Sequence, residues 1–301
     1  MTQTKNKYIL SFAIFAVLFL LAVCVCVISY SSPFVKYSGG VDTNVFKYIA
    51  KIIAEGGMPY KDSFDHKGPL LYLIDLIGIL ITENLYGVWL FEIIAIGLTF
   101  CILYEISCLF VSWIPSLVTT IVATAELWII YGSGNYSELF AIPCIAMGTY
   151  TFLEYYTKGT TSKLNLILCG FSCGVVLMLR ANMVALWIVF IPFIVCTNLI
   201  QKRSMELLQY VLFFTVGLLT IILPVLFWIC LNGAWSDFVF QYFTFNFLYS
   251  SDPERASLVN KLTSAAFFLT KPLMLFSLAI MMLTIVKEKR AQDVAYVFYR
   301  C

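Results

Sequence analysis

Charge is what this chain has least of. Asp, Glu, Lys and Arg together make up 12% of 301 residues, and there is a single histidine, His66. Hydrophobic residues reach 61% and aromatics 17%. A soluble domain with that balance would expose large apolar patches to water, so a soluble fold is excluded. The net charge is only +2, and no basic patch with interleaved aromatics occurs, which argues against nucleic acid as a partner. Internal repeats and low-complexity linkers are also missing. The ten cysteines sit mostly inside apolar runs, the Cys169/Cys173 pair included, and read as small apolar filler rather than disulfides or metal ligands.

What is present in quantity is long uncharged apolar sequence. Runs of roughly 20 residues suffice to cross a hydrocarbon core of about 30 Å, which makes this an all-α polytopic membrane protein. Spans are expected at 8–30, 86–110, 114–131, 139–156, 164–179, 183–200, 208–231 and 265–286, about eight transmembrane helices in all. The first run is longer than the apolar stretch of a signal peptide and has no small-x-small cleavage site, so it reads as a helix that stays. Lys5 and Lys7 hold its N-terminus in the cytoplasm. The basic loops around Lys158, Lys202 and Lys287 are likewise placed inside, which puts residues 31–85, Asn135, Glu138, Arg180 and the 232–264 loop outside.

Counting crossings leaves 69–81, a short apolar stretch interrupted by Asp75, without a partner span, so it is expected to lie in the interface. Residues 42–57 form a second surface element. Val45, Tyr48, Ile49, Ile52 and Ile53 recur at helical spacing, Asp42-Thr43-Asn44 supplies an N-cap signal, and Gly56-Gly57 a stop. Trp235, Phe238, Tyr242, Phe245 and Tyr249 in the later outer loop read as interfacial anchors.

The polar residues gathered on the outer side carry the chemistry. Asp42 is either a helix cap or a general base that deprotonates an acceptor hydroxyl. Arg180 and Lys67 either snorkel to headgroups or hold a phosphate by charge-assisted hydrogen bonds. Glu92, Glu105, Glu126 and Glu154 lie within or near spans.

The stretch GVDTNVFKYIAKIIAEGGMPYKDSFDHKGPLLYLI, residues 39–74, resembles the first outer loop of GT-C class membrane glycosyltransferases. It is most similar to glycosyltransferase family 39-like proteins, related to protein O-mannosyltransferases and aminoarabinose transferases. The resemblance rests on Gly57-Met58-Pro59-Tyr60-Lys61-Asp62 and on Asp65-His66-Lys67-Gly68-Pro69-Leu70-Leu71-Tyr72, and covers roughly residues 8–200. It implies one transmembrane domain over 1–301, shortened at the C-terminus relative to that family, with the extracytoplasmic loop 31–85 carrying the active site. The implied reaction moves a sugar, with inversion, from a polyprenyl-phosphate donor to an acceptor hydroxyl on a glycan, lipid or protein outside the cell membrane. Asp42 is the implied catalytic base. Lys67, Asp65, His66, Tyr60, Glu138 and Arg180 are the implied substrate-binding residues, with Lys67 and Arg180 stabilising the leaving phosphate. No cofactor and no bound metal are implied. Two other readings stay open: an inactive homologue or subunit, and a lipid-linked sugar flippase or transporter, for which polar groups near mid-bilayer would be expected.

Overall fold

The computed structural model describes residues 2–36, 40–82, 84–130, 134–250 and 263. They are all-helical, with no strand among the described residues. The helices are α1 (Thr2–Cys26), α2 (Val41–Ala54), α3 (Pro69–Ile81), α4 (Tyr86–Cys108), α5 (Trp113–Ile130), α6 (Ser137–Lys158), α7 (Lys163–Leu179), α8 (Ala185–Ile200), α9 (Ser204–Leu231), α10 (Trp235–Phe238) and α11 (Phe245–Ser250). A 3-10 turn, Ala181–Val184, leads into α8, and a π-helical stretch, Val239–Thr244, follows α10. The chain divides into two compact units, 1–245 and 246–301, and the rest of this description concerns the first.

Four stretches are long and apolar enough to cross a membrane: Ile9–Cys26, Tyr86–Cys108, Ala181–Ile200 and Ser204–Leu231. By that length and apolarity the chain is a membrane protein. Helices also form at 113–130, 137–158 and 163–179, where spans are expected. Of these, α7 has 17 residues and α6 carries Glu138, Glu154 and Lys158 within its turns. The expected span at 265–286 lies outside the described residues.

Pairing follows chain order. α1 lies on α4, α4 on α6, and α6 folds back on α7 through a left-handed Gly159 and a Ser162 cap that accepts from the Asn165 amide at 3.1 Å. α7 packs most extensively on α9, where the two backbones close at Gly170 and Gly217. The antiparallel α6–α7 hairpin therefore sets Glu138, in the first turn of α6, beside Arg180, which ends α7.

α2 and α3 form the amphipathic pair expected in the first loop. Gly56, at φ 91°, stops α2, and the Gly57 amide donates to Ile52 at 2.9 Å. Thr43, Phe46, Ile49 and Ala50 turn inward onto α3, while Val45 and Tyr48, from the stripe expected to face the membrane interface, are exposed.

Candidate functional site

The start of α3 docks directly on the end of α7. Gly68 caps α3, Pro69 occupies its first turn, and the Gly68 amide donates to the Leu179 carbonyl at 2.9 Å. A Cβ at Gly68 would collide with the Met178 and Leu179 carbonyls, so only glycine allows this approach. Because Lys67 and Arg180 flank the two contacting residues, the contact sets these cations side by side.

The loop between α2 and α3 is fixed by its own side chains. Asp62 accepts from the Met58 amide at 2.6 Å and closes a tight turn. Tyr60, in left-handed backbone at φ 71°, is buried, and its hydroxyl donates to the Lys67 carbonyl at 2.8 Å. Tyr72 donates to Asp65 Oδ2 at 2.9 Å. Gln241, from the π-helical stretch, donates to the Tyr60 carbonyl at 2.5 Å and accepts from the Asp65 amide at 3.2 Å. Phe238 meets Tyr60 edge to face at 5.3 Å between ring centres, and Tyr242 donates to the Leu177 carbonyl at 2.6 Å. Tyr60 thus props the loop from inside rather than presenting its hydroxyl outward.

The electrostatics are uneven. Glu138 pairs with the Arg180 guanidinium and also accepts from Ser137 at 2.8 Å. Lys67 is half-buried, and its nearest side-chain partner is His66 Nε2 at 3.5 Å. Burial, then the neighbouring Arg180 charge, lowers the Lys67 pKa from its ordinary value, with Asp65 and Asp42 opposing. His66 is held below the usual imidazole range by burial, then by Lys67, so it is neutral at pH 7 and its 3.5 Å approach to Asp65 is not an ion pair. Burial and the nearby Tyr242 raise the Tyr60 phenol well above its usual range. The field of Asp42 is the weakest of those acting on Lys67 and His66.

Asp42 itself is exposed in the first turn of α2. The expected N-cap role does not hold: Gly40 is the cap, the helix begins one residue before Asp42, and no side-chain cap bond forms. Asp42 keeps a favourable position near the positive helix end. Asn135, grouped by sequence with the exposed outer polar residues, is fully buried. Phe238 and Tyr242, expected as interfacial anchors, are each 1% exposed and form the floor under the loop. Gln241, Tyr72 and Tyr242 are the contributors that sequence reasoning missed. A glutamine inside the aromatic 235–249 run was the one available signal.

The family model for the competence-induced protein Ccs4 N-terminal domain matches residues 3–301. The chain belongs to this family. Neither curated proteins nor solved structures yield a match. The name of the Ccs4 N-terminal domain family speaks of induction and not of a reaction.

Proposed function

We propose that this chain is a multi-pass glycosyltransferase of the cell membrane, with about eight crossings and a cytoplasmic N-terminus. It moves a sugar from a polyprenyl-phosphate donor to an acceptor hydroxyl on the extracytoplasmic face. The observation that carries this reading is the state of Lys67: a half-buried ammonium beside a second cation, with no ion pair of its own among the described residues. Such a corner is complementary to an anion, and a lipid phosphate reaches it laterally. Two buried hydroxyls nearby in sequence, Thr43 Oγ1 and Ser63 Oγ, have no hydrogen-bond partner among the described residues and can serve the sugar or the acceptor.

In this scheme Asp42 takes the proton of the acceptor hydroxyl as that oxygen attacks the anomeric carbon. The bond to the phosphate oxygen breaks, and the phosphate leaves against Lys67, with Arg180 beside it. Neutral His66 and Asp65 keep the Lys67 ammonium in place. Asp42→Asn is expected to lower transfer from a labelled polyprenyl-phosphate sugar in membranes by about 10²–10⁴-fold, with the protein level unchanged. Full transfer by that variant would remove the base role.

A translocator of lipid-linked sugar would use the same phosphate contact. The two buried carboxyl groups Asp75 and Glu92 favour that second reading. It separates cleanly from the first, because labelled donor would cross vesicles without being consumed.

A further inference from the structure

At the opposite end of the α6–α7 hairpin from Arg180, the helices leave a gap. α9 lies far more on α7 than on α8, and between α8 and α9 an apolar groove of about 160 Å³ stays open. Ile191, Ile194 and Val195 line it from α8, and Leu207, Val211 and Phe214 from α9, each set falling on one face of its helix. Leu166 of α7, 5% exposed, is the floor. Ile191 and Val211 at the rim are 40% and 50% exposed, so the groove opens on the outer side of two helices long and apolar enough to span a membrane. Apolar cavities of this size stay dry and accept apolar guests.

One end of the groove is polar and cationic. Tyr210, also in the lining, meets Tyr155 edge to face at 6.0 Å, and Asn198, one turn beyond Ile194, donates to the Tyr155 hydroxyl at 2.9 Å. The turn from α8 to α9 follows, with Lys202 in left-handed backbone at φ 58° and the Arg203 amide donating to the Asn198 carbonyl at 2.9 Å. Arg203 stands one turn before Leu207. Lys163 stands one turn before Leu166, with its ammonium 5.2 Å from the centre of the Phe213 ring. The acids at this end are already engaged: Glu154 accepts from Lys158 at 3.0 Å, and Glu206 lies 3.8 Å from Arg203. Lys163 and Lys202 are exposed and have no ion pair among the described residues.

We infer that this groove holds an acyl chain of an anionic phospholipid from the bilayer, with the lipid phosphate resting against Lys163 and Lys202. Ammonium groups at a membrane surface attract anionic headgroups, and a headgroup held at these two lysines leaves its chain to run along the helices into the gap. Both halves of the lipid are matched, the charge by the lysines and the chain by the α8 and α9 stripes. A zwitterionic lipid would use only the second half. The bound chain fills the space where α8 and α9 make few contacts of their own. The site lies roughly 25 Å along α7 from Arg180, so it is separate from Lys67 and Asp42. It stands whether the protein transfers sugar, translocates it or does neither.

The test uses the full chain in lipid nanodiscs containing phosphatidylglycerol or phosphatidylcholine with the same photoactivatable acyl chain, and maps the cross-linked peptides by mass spectrometry. Phosphatidylglycerol is expected to label residues 191–195 and 207–214 about tenfold more than phosphatidylcholine does. Val211→Trp, which fills the groove, should lose that labelling. Where this variant fails to fold, Lys163→Gln combined with Lys202→Gln makes the comparison on surface residues alone, and should bring the two lipids level. Equal labelling of the groove by both lipids in the unaltered chain would overturn the inference, as would a preference undiminished in the double lysine variant. Labelling spread evenly over the exposed faces of all the apolar helices would also overturn it, and so would groove residues cross-linked to a second copy of the chain in place of lipid.

Discussion

The two ends of the α6–α7 hairpin treat their charges in opposite ways. At one end Glu154 accepts from Lys158 at 3.0 Å, Thr161 at 2.7 Å and Asn165 at 2.6 Å. At the other, Glu138 and Arg180 pair, while Lys67 is left with a neutral imidazole 3.5 Å away. Glu154 is saturated by its own hairpin, so it is a structural acid. Lys67 is half-desolvated, repelled by Arg180 and unpaired among the described residues, an arrangement that stability alone does not favour. The contrast separates a charge that holds the fold from one that the fold holds for something else.

The hardest blow to this contrast is Gly68→Ala. The new methyl meets backbone carbonyls that cannot move aside, so overpacking is expected to cost about 1–3 kcal/mol. Transfer should fall further than that loss explains, because Lys67 is displaced from Arg180. Normal stability together with normal transfer would show that the contact between α3 and α7 is dispensable.

Next in size is a paired comparison across the two ends. Lys67→Met should weaken donor binding by about 10–100-fold while the thermal midpoint holds or rises. Glu154→Gln should leave donor binding intact and cost about 1–3 kcal/mol of stability, since three donors lose a carboxylate. Denaturation midpoints and binding measured on the same preparations check both halves. A fall in midpoint for Lys67→Met would mean that the lysine is structural after all.

The smallest effect concerns His66. Its folded-state pKa lies below the unfolded one, so the unfolded chain takes up the proton first as pH falls. The contribution is fully present above the ordinary imidazole range and is lost as pH drops through it towards the folded value. His66→Gln should flatten that acid limb of the stability curve. An unchanged limb would place its origin in the carboxylates.

Much of the helical plan was legible in the sequence. Gly56-Gly57 stops α2, Gly68-Pro69 starts α3, and uncharged runs set the longest helices, because these signals act within a turn or two. The neighbourhood of Lys67 and Arg180 was reachable only by counting crossings, since no local pattern links residues so far apart. Asp42 as a cap was misread because Gly40, one residue before Val41, opens the helix without a side-chain bond. Asn135 looked like a loop residue, and only the left-handed turn before α6 carries it inside. Gln241 was illegible for a simpler reason: its partners lie 176 and 181 residues earlier.

That separation has a consequence for synthesis. Tyr60 and Asp65 leave the ribosome long before the glutamine that clasps their backbone. At about 5–20 residues per second the interval is roughly 10–35 seconds. Until then the loop lacks the two hydrogen bonds that Gln241 makes to it. The order of synthesis therefore delays completion of the loop until the π-helical stretch after α9 has been made.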